Sequence, residues 1–165
     1  QLWVNLPAVE KMSAPNYQDI QPDSVPTVHI QDAVIKVLAG EIDGVKGPVK
    51  TTAVAPTFLD VALRSGSSEI ALGSDEAAFI YVYEGSVVIN SGELSKETIV
   101  SRGELGVLSQ SGKQLSVSAD TGCKFIVVSG KPIEEPVVQY GPFVMNTQQE
   151  IVRAFNDYQS GSLAK

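Results

Sequence analysis

The sequence has 165 residues, of which 43% are hydrophobic and 19% are charged. A chain of this length and composition buries a single core, and it is too apolar and too weakly charged to remain disordered. The formal net charge of −7 repels nucleic-acid phosphates, and Lys11, Lys46 and Lys50 are too scattered to form a basic patch that overcomes this repulsion. Direct binding of nucleic acid is therefore not expected.

Cysteine content and hydropathy favour a soluble cytoplasmic protein. Cys123 is the single cysteine, so no internal disulfide can form, and this favours a reducing compartment. No apolar run approaches the roughly 20 residues that span a bilayer, and no basic segment followed by an apolar one marks a signal peptide. We expect no membrane partner.

The first 26 residues are expected to form a strand and an extended linker. Residues 1–7 lack an initiator methionine and alternate apolar with polar side chains, as a half-buried strand does. Pro15, Pro22 and Pro26 then disfavour both helix interior and central strand. We interpret residues 1–26 as an inter-domain strand and linker, and the chain as part of a longer fold.

From Thr27 onward the pattern predicts an antiparallel sandwich or barrel, because short runs rich in Val, Ile, Leu and aromatic residues recur between clusters of Gly, Pro, Asp and Ser. Residues 59–64 and 114–120 alternate between two faces, and in the second run the alternate positions are all polar, which fixes its strand register. The predicted core-facing residues of these two runs are Leu59, Val61, Leu63, Leu115, Val117 and Ala119.

Two other runs, residues 78–83 and 125–128, are apolar at every position, which predicts central strands covered on both faces. Gly85 and Gly122 lie between predicted strands and can adopt the positive φ of tight hairpin turns. Consecutive strands are therefore expected to meander.

One helix is predicted near the C-terminus. Thr147 and Glu150 have the spacing of a capping box, and apolar residues follow at helical spacing. Gly161 stands where a left-handed C-terminal cap is expected. A helix of three or four turns is marginal alone, so its apolar stripe, formed by Ile151, Phe155 and Tyr158, must dock on another surface.

Several segments resemble the pirin family of two-domain cupin proteins. Residues similar to the segment that joins the two domains are Gln1-Leu2-Trp3-Val4-Asn5-Leu6-Pro7-Ala8, Lys11-Met12, Pro15 and Tyr17-Gln18-Asp19. Residues similar to the second domain are Val37-Leu38-Ala39-Gly40-Glu41, Gly47-Pro48-Val49, Tyr81-Val82-Tyr83-Glu84-Gly85, Gly130-Lys131-Pro132 and Glu135-Pro136. Residues similar to the C-terminal signature are Tyr140-Gly141-Pro142-Phe143-Val144-Met145-Asn146-Thr147, Glu150-Ile151, Ala154 and Asp157-Tyr158.

The resemblance implies an all-β, antiparallel cupin-type sandwich (a jelly roll or double-stranded β-helix) with one C-terminal α-helix. Residues 27–136 are then the metal-free C-terminal cupin domain, and residues 137–165 are the signature segment and helix. In this family the N-terminal cupin domain holds non-haem iron through three histidines and one glutamate. Some relatives are quercetin 2,3-dioxygenases, and others are iron-linked redox regulators that bind transcription factors or metabolic enzymes.

The sequence departs from a metal-bearing cupin pattern. Such a strand places two histidines two residues apart, with a carboxylate a few residues on. Residues 66–76 and the segment around Gly112 contain no histidine. Three carboxylates, Glu69, Asp75 and Glu76, could hold a hard cation, but we interpret them as part of a solvated loop. The only histidine, His29, is interpreted as a strand-surface or hydrogen-bonded structural residue.

Two further candidates for chemistry have simpler interpretations. Cys123 could be a nucleophile if Lys124 lowered its pKa, but we interpret it as a small core or edge residue. Glu134 and Glu135 are interpreted as solvent-facing charge at the end of a strand, with no catalytic role.

Neither a nucleotide site nor a ligand cavity is predicted. The loop of residues 103–106 lacks the strand-to-helix context and the basic residue of a phosphate-binding loop. Tyr81 and Tyr83 could line a cavity in the sandwich, but filling of the core is the favoured interpretation.

We therefore predict no catalytic, cofactor-binding or metal-ligating residue in this chain. Its predicted role is structural and protein-binding, beside an iron-binding N-terminal cupin domain that is absent from the sequence. The alternatives are part of an iron-dependent quercetin 2,3-dioxygenase and a redox-linked transcriptional or metabolic regulator. A docking role predicts an exposed apolar patch along Trp3, Val144 or the helix stripe.

Overall fold

The computed structural model describes residues 2–50, 54–90, 97–110 and 112–163. They form two compact units, a sandwich unit of Asp19–Pro132 and a terminal unit of Gln1–Gln18 with Ile133–Lys165. The division of the chain after residues 26 and 136 stays a prediction. None of the helices in the described segments has the length and apolar character needed to span a bilayer.

The sandwich unit contains two antiparallel sheets. Its strands are β1 (Thr27–Ile30), β2 (Ala33–Ala39), β3 (Glu41–Ile42), β4 (Val45–Lys46), β5 (Thr57–Leu63), β6 (Gly66–Ala71), β7 (Ala77–Glu84), β8 (Ser86–Asn90), β9 (Glu97–Ser101), β10 (Leu105–Val107), β11 (Gln114–Ala119) and β12 (Cys123–Gly130). The six-stranded sheet has the order β1-β2-β5-β12-β7-β10, and the four-stranded sheet has the order β6-β11-β8-β9. A short hairpin of β3 and β4 is separate. The predicted antiparallel sandwich is confirmed.

The core lies between the two sheets, and the alternation of the sequence places it there. The predicted core-facing residues of β5 are at most 2% exposed, and those of β11 are at most 7% exposed. Each aliphatic side chain that is fully buried contributes roughly 1.5–3 kcal/mol. A one-residue slip of β11 would bury Ser116 and Ser118 instead, so these two registers are specified by the sequence as expected.

The expected meander is wrong at two turns. Gly85 and Gly122 each connect a strand of one sheet to a strand of the other, so neither closes a hairpin. Gly85 has φ of +74°, and a Cβ there would lie 2.8 Å from the carbonyl oxygen of Gly122. Both the positive φ and this close approach require glycine. A glycine between two apolar runs is expected both at a hairpin and where the chain crosses between sheets, so the sequence does not distinguish the two.

The two all-apolar runs form inner strands of the six-stranded sheet, as predicted, but one of them is not covered on both faces. On β12, Phe125 and Val127 are fully buried. On β7, Tyr81 and Tyr83 remain 37% and 38% exposed. These rings lie on the outer face of the sheet, where they do not fill the core.

The terminal unit contains a small hairpin and the single α-helix of the described chain. The hairpin consists of β13 (Val138–Tyr140) and β14 (Phe143–Met145), and the helix α1 spans Gln148–Gln159. The capping box is present, because Glu150 N–H donates to Thr147 Oγ1 at 3.2 Å and Thr147 N–H donates to Glu150 Oε2 at 2.8 Å. Gly161 has φ of +70°. The predicted helix is thereby confirmed.

The helix docks on the β13–β14 hairpin through aromatic contacts. The Phe155 ring lies 5.6 Å from the rings of Tyr140 and Phe143, and Phe143 also contacts Tyr158 at 6.1 Å. Such tilted and edge-on pairs add to the energy of burial. The hairpin is therefore the surface that the amphipathic stripe of the helix requires.

The strand predicted for residues 1–7 is wrong for the part that the structure describes. Residues 2–7 pair with no sheet, and Ala8–Glu10 then forms a short 3-10 turn. Alternation alone does not make a strand, since a strand also needs a neighbour for its backbone groups. Here the segment lies along a groove of the terminal unit instead.

Candidate functional site

The interior of the sandwich is lined by aliphatic and small side chains at strand β6, which lies in the segment where the sequence lacks the paired histidines of a metal-bearing cupin. Ser68 and Ile70 are the two inward positions of β6, two residues apart, and both are 0% exposed. Ser68 Oγ donates a hydrogen bond to the carbonyl oxygen of Ile30 at 2.9 Å. The hydroxyl is thus used within the fold, and neither side chain is a transition-metal ligand of the usual kind.

The three candidate carboxylates do not converge. Glu69 points out of β6, and Asp75 is exposed with φ of +63°. Glu76 Oε2 accepts a hydrogen bond from Ser129 Oγ of β12 at 2.6 Å. This side chain is therefore bonded to the sandwich and is not simply part of a solvated loop. Among the described residues, no group of three His, Cys, Asp or Glu side chains is placed to hold a metal ion.

His29 lies exposed on β1, which is an edge strand of the six-stranded sheet. Its register partner on β2 is Val34. This agrees with the interpretation of a strand-surface residue.

Cys123 is buried, as expected of a core residue. Its side chain is 2% exposed, and burial raises the pKa of the thiol. Lys124 pairs instead with Glu84, with 2.8 Å between Nζ and Oε2. Adjacent strand residues point to opposite faces, so this ammonium does not activate the thiol.

The outer face of the six-stranded sheet carries a hydrogen-bonded tyrosine. Tyr83 donates its O–H to Asp60 Oδ1 at 2.6 Å, across the sheet from β7 to β5. Desolvation raises the pKa of Tyr83 well above its ordinary value, and the hydrogen bond and charge of Asp60 raise it further, with a smaller effect from Glu84. The expectation that Tyr81 and Tyr83 fill the core is wrong, because both lie on this face.

Glu135 has a structural role that its sequence context did not reveal. Its Oε2 accepts hydrogen bonds from the backbone N–H of Ala8 and from Asn146 Nδ2, both at 2.8 Å. Glu134, with φ of +57°, is exposed as expected. The interpretation of solvent-facing charge therefore holds for Glu134 and is wrong for Glu135.

Residues 103–106 comprise the end of the β9–β10 connection and the first two residues of β10, and no helix follows them directly. Gly103 N–H donates to the carbonyl oxygen of Val82, and Glu104 N–H donates to that of Ser101. These backbone donors are used within the fold. The loop lacks the strand-to-helix context of a phosphate site, as its sequence indicated.

The terminal unit contains a groove of about 630 Å³, which we call the Lys11 groove. Lys11 Nζ donates to Asn5 Oδ1 at 2.6 Å and to the carbonyl oxygen of Val144 at 3.0 Å. The apolar residues that line it include Trp3, Leu6, Met12, Phe143, Met145 and Leu163. In the sequence Lys11 stood out only as one of three scattered lysines, because its acceptor on Val144 is 133 positions away.

Exposed apolar side chains border the same groove. Trp3 is 66% exposed and Met12 is 58% exposed, whereas Val144 is only partly exposed. On the helix, Ile151 is buried against the unit while Tyr158 is 65% exposed. The docking role predicted an apolar patch along Trp3, Val144 or the helix stripe, and that role stays a prediction.

Comparison with known families identifies the chain. Residues 58–164 match the family described as the pirin C-terminal cupin domain. The chain belongs to the pirin family. The resemblance noted in the sequence and the predicted cupin fold are thereby confirmed, and the fold places this pirin domain among antiparallel cupin sandwiches with a C-terminal helix.

Relatives of this pirin domain are longer proteins. A pirin-like protein of Caulobacter vibrioides is 40% identical over 165 residues, which cover 98% of this chain and 57% of the relative. Pirin-1 of Arabidopsis thaliana is 40% identical over 166 residues, which cover 97% of this chain and 56% of the relative. The chain thus spans a little over half the length of the curated relatives it matches.

A solved structure has the same fold over nearly the whole chain. The crystal structure of a quercetin 2,3-dioxygenase from Acinetobacter baumannii matches with a TM-score of 0.87 and 32% identity. The match covers 99% of this chain and 56% of that protein. The part of that protein which corresponds to this chain is therefore about half of it.

The iron that the family resemblance implies does not fit the side chains of this domain. The inward positions Ser68 and Ile70 offer no imidazole, and the described residues contain no group of three His, Cys, Asp or Glu side chains that could hold a metal ion. We derive no chemical step through iron at these residues. The prediction that the chain itself holds no metal stays a prediction.

Proposed function

We propose that this chain is a non-metal-binding cupin domain whose role is structural and protein-binding, beside an iron-binding cupin domain in the same polypeptide. The observation that carries this proposal is the aliphatic interior of the sandwich. Ser68 and Ile70 occupy the inward positions of β6, and their register partners Val117 and Leu115 lie beside them on the neighbouring strand β11, also buried. Oxygenase chemistry with iron needs several imidazole or carboxylate ligands at one point, so its ligands are expected in another domain.

The lengths of the relatives support a second domain. The matched region is 57% of the Caulobacter relative and 56% of the Arabidopsis relative. The family resemblance implies a cupin domain with three histidines and one glutamate in the remaining part. The partner of this domain is then the upstream cupin domain. Any other protein partners are partners of the intact polypeptide.

The Lys11 groove and its border are the proposed docking surface. Apolar side chains such as Trp3 and Met12 are more than half exposed there, and burial against a partner would remove their surface from water. A groove with an aromatic anchor and a single cationic group is typical of a recognition surface. The single buried cysteine is consistent with a cytoplasmic location for the whole.

A second candidate function for the longer polypeptide is oxidation of quercetin. It is favoured by the match to a quercetin 2,3-dioxygenase of Acinetobacter baumannii at 32% identity over 99% of this chain. In that case the iron-bearing domain supplies dioxygen chemistry, and this domain supports its fold and closes one side of it.

The test compares this chain with the longer natural polypeptide. The coding sequence that precedes residue 1 is determined, and the longer polypeptide is produced with iron. We expect a histidine-x-histidine strand upstream, about one iron per polypeptide and, for the second candidate, oxygen-dependent loss of quercetin. An upstream sequence with no cupin pattern would refute the proposal. A longer polypeptide that binds iron but leaves quercetin unchanged would refute the second candidate alone.

A further inference from the structure

Lys11 is a charged group in an otherwise neutral groove. Among the described residues that line the Lys11 groove, it is the only one with a charged side chain. The chain as a whole has a net charge of −7, so the positive charge of Lys11 is opposite in sign to the net charge of the chain. The ammonium is therefore the feature that distinguishes this groove from a simple apolar depression.

Among the described residues, no carboxylate lies within ion-pair distance of the Lys11 ammonium, although the charge of Lys11 helps to lower the pKa of Glu150. Its two acceptors, Asn5 Oδ1 and the carbonyl oxygen of Val144, are neutral. An ammonium has three N–H donors, so one remains for a further acceptor. No ion pair with a described carboxylate forms at Lys11.

Glu150, the carboxylate whose pKa the charge of Lys11 helps to lower, makes its hydrogen bonds at the start of the helix. Its Oε2 accepts from Thr147 N–H and Thr147 Oγ1, both at 2.8 Å, and from Asn146 N–H at 3.2 Å. These bonds hold the carboxylate at the start of the helix as part of the capping box. Glu150 is thus committed to the helix terminus, and Lys11 keeps its free donor.

The third N–H donor of Lys11 affects which partner can cover the groove. An apolar partner that docks against Trp3 and Phe143 also removes water from the Lys11 ammonium. Loss of that hydration opposes binding unless the partner brings an acceptor, and a carboxylate compensates best. The groove therefore selects for an apolar surface that carries a negative charge at one point, and selects against one that is uniformly apolar.

We propose that the Lys11 groove binds an apolar surface that carries a carboxylate, which pairs with Lys11, and that the upstream cupin domain of the same polypeptide supplies this surface. The choice of the upstream domain as the occupant rests on the proposed function. The preference of the groove for an apolar surface with a carboxylate does not rest on it. Residues 3–6 line the groove, so any polypeptide that precedes them is tethered to its wall and has a high local concentration there.

The first experiment tests the chemistry with this chain alone. Anilinonaphthalene sulfonate and its uncharged analogue phenylnaphthylamine are fluorescent probes that differ by one anionic group. Trp3, the single tryptophan, lines the groove, so energy transfer from Trp3 detects a probe that is bound beside it. We expect the sulfonate to bind about tenfold more tightly than the uncharged probe, as a hydrogen bond to a charged group allows. Added salt should reduce this difference, because it screens the partly exposed ammonium.

Variants locate the effect at Lys11. Lys11→Met should abolish the preference for the sulfonate over the uncharged probe, and Lys11→Arg should retain that preference. Lys113→Met removes an exposed lysine of the sandwich unit and serves as the control. If Lys11→Met fails to fold, the salt dependence of the wild-type chain still decides. Equal affinity for the two probes, without salt dependence, overturns the chemistry of the groove and leaves the proposed function standing.

The second experiment tests the occupant in the longer natural polypeptide. The sulfonate should no longer bind beside Trp3, because the upstream domain covers the groove. Lys11→Met should weaken this coverage, measured as renewed binding of the uncharged probe beside Trp3, which the Lys113→Met control should not show. Probe binding to the longer polypeptide with the affinity of the isolated chain would overturn the assignment of the occupant.

Discussion

Glu135 accepts a hydrogen bond from the backbone N–H of Ala8 at 2.8 Å and so joins two segments that lie 127 positions apart in the chain. The same carboxylate oxygen accepts from Asn146 Nδ2, also at 2.8 Å. Together with the bonds of Lys11 to Asn5 and Val144, it fastens the N-terminal segment to the C-terminal one. The terminal unit is held by these few polar contacts as well as by its aromatic cluster.

Loss of this carboxylate should loosen the N-terminal segment. Glu135→Ala leaves the Ala8 N–H without its acceptor and removes one of the two acceptors of Asn146 Nδ2, the other being the carbonyl oxygen of Pro136. We expect a loss of about 1–2 kcal/mol in the stability of the terminal unit. Urea unfolding and amide hydrogen exchange at Ala8 measure it. Glu134→Ala, at the exposed neighbouring position, is the matched control. Equal protection of the Ala8 amide in the two variants would contradict the role of Glu135.

The helix start should be sensitive to acid. Hydrogen bonds from Thr147 lower the pKa of Glu150, helped by Asn146 and the charge of Lys11, although desolvation acts in the opposite direction. A folded-state pKa below the unfolded one means that the ionised carboxylate stabilises the fold above the ordinary pKa of glutamate. This contribution is lost as the pH falls through the lowered value.

Circular dichroism of the helix against pH tests this dependence. The wild-type signal should decrease in the acidic range below the ordinary pKa of glutamate, and Glu150→Gln should remove that part of the decrease. A variant with the capping hydroxyl removed, Thr147→Ala, should lower helix stability by about 1 kcal/mol at neutral pH. Identical acid profiles of wild type and Glu150→Gln would refute the assignment.

The buried thiol should be protected from reagents. Cys123 is 2% exposed and burial raises the pKa of its thiol, so little reactive thiolate is present at neutral pH. We expect its reaction with Ellman's reagent to be at least about a hundredfold slower in the native chain than in denaturant, because it requires opening of the fold. Since Cys123 is the single cysteine, the signal has one source. Rapid native-state labelling would instead indicate a reactive site.

Tyr83 should ionise only at strongly alkaline pH. Desolvation and the hydrogen bond to Asp60 both favour its neutral form. In a spectrophotometric titration, Tyr83→Phe should remove a strongly alkaline step, and Asp60→Asn should shift that step toward lower pH. Because the site is partly exposed, neither change should cost more than about 1 kcal/mol of stability. A titration of Asp60→Asn that superimposes on wild type would contradict the contact.

The features of the fold that could be predicted from the sequence are those determined by residues close together in the chain. The faces of β5 and β11 follow from the period-two alternation of residues 59–64 and 114–120, and the helix start follows from the three-residue spacing of Thr147 and Glu150. The absence of histidine from residues 66–76 was also readable, and it agrees with the side chains that line the sandwich.

The features that sequence reasoning missed depend on partners far along the chain. Lys11 acquires its role through Val144, and Glu135 acquires its role through Ala8, neither of which is marked by spacing. Gly85 was recognised as a turn, but the pattern could not show that the chain crosses between sheets there. Tyr83 was placed in the core because hydrophobicity does not reveal a hydrogen bond to Asp60 across the sheet.

Iron stoichiometry of the isolated chain tests the central claim most directly. The chain is saturated with ferrous iron without oxygen, passed through a desalting column and analysed by mass spectrometry for metal per polypeptide. We predict far less than one iron per chain and no oxygen-dependent loss of quercetin, because the inward positions Ser68 and Ile70 supply no ligand set. One tightly held iron per chain, with turnover of quercetin, would contradict the account.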